Sequence, residues 1–201
     1  MLPGNLNISL VNKNSYYIVN GITIYRIVAA PVLFLLIINH RQDIFKWLLA
    51  ISFLTDAIDG FIARRYKITS KLGSTLDSIG DDVTIVAAVT GIFVLKPEFV
   101  RQQATPIIML LALFLLQTIL ALIRYRKLSS FHTYAAKIAA ILEGIFLLLF
   151  FFDKPVDILF SITAVVIAID LVEEIILAML LPNWETDVKG LYWVMKRKKS
   201  I

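Results

Sequence analysis

DAIDGFIARRYKITSKLGSTLDSIGDD, residues 56–82, lies between two apolar runs, ISFL before it and VTIVAAV after it. It nevertheless carries five aspartates, Asp56, Asp59, Asp77, Asp81 and Asp82. An acid inside an apolar helix is costly and marks function by default. Ion-paired helix caps would account for one or two acids, but not for five with so few basic residues at the same depth. The flanking apolar segments predict helices over roughly 44–64 and 72–94, with the chain turning over between Arg64 and Gly73. Asp56 and Asp59 are three apart, and Asp77 and Asp81 four apart, so each pair shares a helix face. Asp59 lies five residues before Arg64 and Asp77 four after Gly73, while Asp56 and Asp81 each lie eight away. On antiparallel neighbours rising about 1.5 Å per residue, the two pairs reach matching depths. Four carboxylates in low dielectric repel one another unless divalent cations compensate them. All-oxygen ligands select hard ions such as Mg²⁺, Ca²⁺ or Mn²⁺, and a pair of such ions is the usual clamp for displacement at phosphorus. Gly60 and Gly73 have no side chain and permit close approach by a ligand. Arg64 suits bidentate phosphate contact, or else serves only as a positive surface residue that sets topology.

The rest of the chain reads as membrane protein. Of 201 residues, 59% are hydrophobic and 17% charged, and the mean hydropathy is +0.80. Soluble domains run at about 45–50% apolar and about 25% charged, so a water-soluble enzyme and a disordered chain are both excluded. No cysteine and two histidines exclude thiolate zinc sites, cysteine nucleophiles and multi-histidine metal sites. Six segments have the length and apolarity of spans, roughly 20–38, 44–64, 72–94, 106–125, 134–152 and 156–181. The predicted fold is therefore an all-α integral membrane protein of six transmembrane helices in one domain, 1–201. An interfacial arm over 1–19 and a basic tail over 182–201 complete it. Lys13, Arg64, Arg65, Lys67, Lys71, Arg124, Arg126, Lys127, Lys189 and the run Lys196–Lys199 fall on one side. Arg41, Lys46, Lys96, Arg101 and Lys154 fall on the other. That bias puts both termini in the cytoplasm. The net charge of +5 reads as attraction to an anionic lipid surface rather than to nucleic acid.

The motif resembles the signature of the CDP-alcohol phosphatidyltransferase family: D-x-x-D-G-x-x-A-R, eight residues, G, three residues, D, three residues, D. Asp56, Asp59, Gly60, Ala63, Arg64, Gly73, Asp77 and Asp81 meet every spacing. Asp82 is extra and receives no role. The resemblance implies a six-helix membrane enzyme, usually a homodimer. Such an enzyme transfers a phosphatidyl group from CDP-diacylglycerol to an alcohol and releases CMP. It implies two divalent cations, Mg²⁺ or Mn²⁺, on Asp56, Asp59, Asp77 and Asp81, with Asp81 also the general base. Asp56, Gly60, Ala63, Arg64 and Gly73 would lie along the CDP. The cell's inner (cytoplasmic) membrane is the implied location, with the site facing the cytoplasm.

The acceptor is less directly written. NGITIYRIVAAP, residues 20–31, resembles the N-x-L-T-x-x-R…P pattern of bacterial phosphatidylglycerophosphate synthases and related cardiolipin synthases, through Asn20, Thr23, Arg26 and Pro31. Arg26 faces either the phosphates or a partner acid, Glu173 or Glu174. The connection RYRKLSSFHTYAAK, residues 124–137, offers Arg124, Arg126 and Lys137 to a phosphorylated acceptor, or else it only sets topology. Glycerol 3-phosphate is the expected acceptor. Phosphatidylglycerol, as in a cardiolipin synthase, and inositol phosphate or serine are the alternatives. Glu143, Asp170, Glu173 and Glu174 are expected in helix pairing or a dimer contact. A divalent-cation transporter is the rival class. It would need acids along a continuous path and repeats in both halves, and neither appears.

Overall fold

The computed structural model describes Tyr25 and residues 28–66, 71–127, 131–186 and 188–199. The N-terminal arm, Asn20, Thr23 and Arg26 lie outside the described residues. Every regular element among the described residues is helical. In chain order these are α1 (Val28–Ile38), α2 (Gln42–Tyr66), α3 (Lys71–Leu95), α4 (Pro97–Gln102), α5 (Ala104–Tyr125), α6 (Tyr134–Phe151), α7 (Asp157–Leu180) and α8 (Leu191–Lys199). Helices thus stand over the described parts of all six apolar segments, the first of them described as a helix from Val28 on. Two of them, α5 and α6, are long and apolar enough to cross a bilayer. The short α4 and the lysine-rich α8 carry no span-like signal in the sequence.

The chain divides into two compact units, Met1–Phe99 and Val100–Ile201. In the first, buried residues run in helical stripes. Ala30, Leu33 and Ile37 line α1, Phe45, Leu49 and Ser52 line α2, and Thr84, Ala88 and Ile92 line α3. The two hydroxyls in these stripes are satisfied by their own helices. Ser52 Oγ donates to the Leu48 carbonyl at 2.9 Å and Thr84 Oγ1 to the Gly80 carbonyl at 2.7 Å, so neither is left as an unpaired buried group. The α1 helix ends in a left-handed residue, His40, with φ 51°. Its neighbour Arg41 returns an N–H to the Leu36 carbonyl at 2.9 Å, and His40 N–H reaches the Ile37 carbonyl at 3.0 Å. This is the double reverse bond of a Schellman stop. The same pattern closes α6 at Asp153, φ 55°, through Asp153 to Phe150 and Lys154 to Leu149.

In the second unit α7 is central and packs against α5, α6 and α8. Gln117, buried on α5, donates to Glu174 on α7 at 2.7 Å. The phenol of Tyr125 lies within hydrogen-bond distance of the Ala178 and Leu181 carbonyls, 2.9 Å from each. Phe146, Phe150 and Phe160 stack between α6 and α7 with ring centroids 5.4 Å apart. The segment after α7 folds back on the unit rather than hanging free as a basic tail. Val188 N–H donates to the Phe131 carbonyl at 2.8 Å and Tyr134 N–H to that of Lys189 at 3.3 Å. Val188 and Val194 join Phe131, Leu177, Ala178 and Leu181 in one buried cluster.

Candidate active site

The two helices that carry the motif are each 25 residues long, they touch, and only residues 67–70 separate them. So short a connection makes them antiparallel neighbours. The helices run further into the turn than the sequence suggests, so Arg64 falls in the last turn of α2 and Gly73 in the first turn of α3. Measured from these ends, Asp56 lies ten residues before Tyr66 and Asp81 ten after Lys71. Asp59 lies seven before and Asp77 six after. At 1.5 Å per residue the outer pair sits about 15 Å from the turn and the inner pair about 10 Å. The same spacing holds from these helix ends, equal for the outer pair and one residue apart for the inner.

The stripes explain the facing. On α2 the buried series Phe45, Leu49, Ser52 steps by four and three residues, and the next steps are Asp56 and Asp59. On α3 the series Ala88, Thr84 runs back to Asp81 and Asp77 by the same steps. Asp56 therefore continues the buried register of α2, and Asp59, Asp77 and Asp81 follow at the same helical steps in the sequence. Asp56 is half-buried and engaged in a polar interaction. The backbones of Asp59, Gly60, Ala63, Arg64, Gly73, Asp77 and Asp81 are helical, and their side chains lie outside the description. Among the described residues no three acidic or histidine side chains form a metal-sized cluster. The polar one-turn neighbour of Asp56, buried Ser52, went unnoticed in the sequence, although its spacing of four from an acid is visible there. Tyr25 also went unnoticed. Its hydroxyl is buried, with no hydrogen bond among the described residues.

The CDP-alcohol phosphatidyltransferase family model matches residues 16–181. The chain belongs to that family. Among curated relatives, the CDP-diacylglycerol–glycerol-3-phosphate 3-phosphatidyltransferase of Rickettsia typhi is 32% identical over 162 residues, covering 79% of this chain and 85% of the relative. Shorter matches join it. The CDP-diacylglycerol–inositol 3-phosphatidyltransferase of Saccharomyces cerevisiae is 41% identical over 66 residues, which is 33% of this chain and 30% of that one. The CMP-forming cardiolipin synthase of Homo sapiens is 42% identical over 74 residues, which is 36% and 25% respectively. In these two shorter matches the aligned stretch spans no more than about a third of the relative. No solved structure matches the chain significantly.

The basic residues considered for the acceptor belong to the second unit. Arg124, in the last turn of α5, donates from Nε to the Leu181 carbonyl at 3.1 Å and lies 6.0 Å from the Tyr125 ring. Arg126 is the left-handed cap of α5, φ 55°. Lys137 is exposed in the first turn of α6, its Nζ 5.6 Å from the Tyr134 ring. The acids of α7 have hydrogen-bond partners within the second unit. Asp170 accepts from Thr133 Oγ1 at 3.3 Å, Glu173 from the Leu191 N–H at 2.8 Å, and Glu174 from Gln117. An apolar groove of about 510 Å³ opens between α5 and α7, lined by Pro106, Met109, Phe160, Ala164 and Val172. It holds no motif residue and offers only Gln103 and Ser161 as polar lining. A diphosphate has nothing to bind there.

Proposed function

We propose that the chain transfers a phosphatidyl group from CDP-diacylglycerol to glycerol 3-phosphate and releases CMP. The observation that supports this reading is that Asp56 and Asp59 on α2, and Asp81 and Asp77 on α3, stand at near-equal distances from the short connection between two touching helices. Four carboxylates at two depths offer only oxygen donors, which fits a pair of Mg²⁺ or Mn²⁺ ions. When bound, such ions supply positive charge that offsets the diphosphate and the leaving CMP. The remaining chemistry belongs to the chain. Asp81 takes the proton from the acceptor hydroxyl. Gly60, Ala63 and Gly73 leave room along the CDP, and Arg64 holds a phosphate by its planar fork. Arg26, Arg124, Arg126 and Lys137 favour an acceptor that brings its own phosphate. The acceptor choice is also supported by the Rickettsia typhi relative, which is named for glycerol 3-phosphate and aligns along most of both chains.

In this reading six helices span the cell's inner membrane, both termini and the site face the cytoplasm, and the chain works as a homodimer. Cysteine-free as it is, the protein accepts single reporters. A cysteine between Arg65 and Lys71 is expected to label from the cytoplasmic side and one at Glu98 from the opposite side. Reversed labelling overturns the orientation.

The activity test is CMP release by the purified protein from CDP-diacylglycerol. Glycerol 3-phosphate, phosphatidylglycerol, inositol, inositol phosphate and serine are offered in turn, with chelation and re-addition of Mg²⁺ or Mn²⁺. Glycerol 3-phosphate is expected to be preferred, with activity lost on chelation and restored by the metal. Preference for phosphatidylglycerol would favour the cardiolipin reaction, which the human relative performs by name. Preference for serine or free inositol would reduce the basic connection to a topology signal.

A further inference from the structure

The C-terminal helix α8 starts at a depth that its sequence does not advertise. Its first N–H, from Leu191, bonds to Glu173 at 2.8 Å, and Glu173 lies seven residues before the end of α7 at Leu180. Seven residues are about 10 Å of helix. The start of α8 is therefore drawn back along α7 by two turns. Gly190 makes this approach possible. Its φ of +144° is open only to glycine, and a Cβ there would stand 3.0 Å from Glu173 Oε1.

One face of α8 is used internally. Val194 is 3% exposed and belongs to the core cluster, with Leu191 packed against it. The other face is left open and apolar. Tyr192 is 67% exposed, Trp193 44% and Met195 49%. Aromatic side chains gather at this end of the unit. Trp193 lies 5.4 Å from the Tyr134 ring and 5.5 Å from that of Tyr192, and Lys127 Nζ sits 4.4 Å from the Trp184 ring. Such a group of Trp and Tyr marks the level of lipid headgroups. The charge is one-sided. The last stretch of the chain carries Lys189, Lys196, Arg197, Lys198 and Lys199 against Glu185 and Asp187. Glu185 is already taken by Arg197, both carboxylate oxygens at 3.0 Å from one guanidinium nitrogen.

We infer that α8 is an interfacial anchor whose open face, Tyr192, Trp193 and Met195 with Lys196, docks on anionic phospholipid headgroups, the basic residues that follow in the sequence adding charge. The inference rests on the membrane placement above and on nothing in the transfer reaction. The buried face fixes the helix on the protein, the aromatic face sets its depth, and the lysines select the lipid. Hydrophobic burial alone would accept any lipid. Lysines close to an anionic surface add an attraction that falls off within a Debye length.

The experiment uses the full chain with Trp47→Phe and Trp184→Phe, so that Trp193 alone reports. It is reconstituted in vesicles containing equal fractions of either brominated phosphatidylserine or brominated phosphatidylcholine, the bromines close to the headgroup. Both lipids are expected to quench Trp193, the anionic one about two- to fivefold more strongly. The triple variant Lys196→Gln, Lys198→Gln, Lys199→Gln is expected to keep quenching by both lipids and lose the difference. Arg197 stays, because it holds Glu185. Equal quenching in the parent protein overturns the anionic selection. Absence of lipid quenching, with Trp193 open to aqueous iodide, overturns the membrane docking and leaves the face to a soluble partner. An inactive enzyme with the expected quenching pattern would count against the proposed reaction alone, and the converse result against the anchor alone.

Discussion

In α7, three carboxylates on one face each accept from a donor within the second unit: Asp170 from a threonine, Glu173 from a backbone N–H and Glu174 from a glutamine. In the first unit, four aspartates stand on two touching helices, pair by pair at near-equal distances from the connection. Residue type and apolar setting are alike in the two cases. What differs is convergence. The α7 acids point to three different elements and tie α5, α6 and α8 to one helix, whereas the α2 and α3 acids are aligned with one another. An acid in an apolar helix is thus read by what faces it. Where a neutral donor faces it, the acid is part of the packing.

The comparison breaks most sharply at the aligned set. Asp56→Asn, Asp59→Asn, Asp77→Asn and Asp81→Asn should each lower CMP release by on the order of a hundred- to a thousandfold, with an unchanged melting temperature in detergent. Near-normal turnover in any one of them would remove that residue from a shared site. The α7 set should behave the other way, losing stability and keeping turnover. Glu173→Ala leaves the Leu191 N–H without its acceptor and should cost about 1–3 kcal/mol, read as a lower melting temperature of about 2–4 °C per kcal/mol. Gly190→Ala attacks the same contact from the other side, through its +144° φ and the 3.0 Å approach, and should cost a similar amount. The two changes together should cost less than their sum, because they break one contact. Thr133→Ala removes the hydroxyl that caps α6 through Ala136 N–H at 3.1 Å and should cost about 1 kcal/mol. Smallest is Arg197→Gln. Its pair with Glu185 is more than half exposed on the arginine side, so the expected loss is under about 1 kcal/mol.

Much of this was legible in the sequence because it depends on one-dimensional spacing. Apolar runs of span length marked α2, α3, α5, α6 and α7. The distances from Asp56 to Asp59 and from Asp77 to Asp81 required shared faces. The depth match needed only a short connection between Arg64 and Gly73, and the count from the helix ends at Tyr66 and Lys71 gives the same pairing. The α7 acids were expected in helix pairing, which Glu174 and Gln117 satisfy. Three features were not legible. The helix α8 has nine residues, four of them basic, and what holds it is tertiary: a carboxylate eighteen residues away and a valine in the α7 cluster. The short α4 has no buried residue and so no periodicity to read. The left-handed caps at His40, Arg126 and Asp153 are not glycines, so the usual stop signal is missing at all three.

The seat of α8 on Glu173 also imposes an order on biosynthesis. Gly190, Leu191 and Val194 leave the ribosome after the whole of α7, because they follow it in the chain. Glu173 therefore gains the Leu191 N–H only after the last segment has folded back onto α7. The second unit is sealed from its C-terminal end, and a chain stopped just short of Gly190 would carry an acid with no lid.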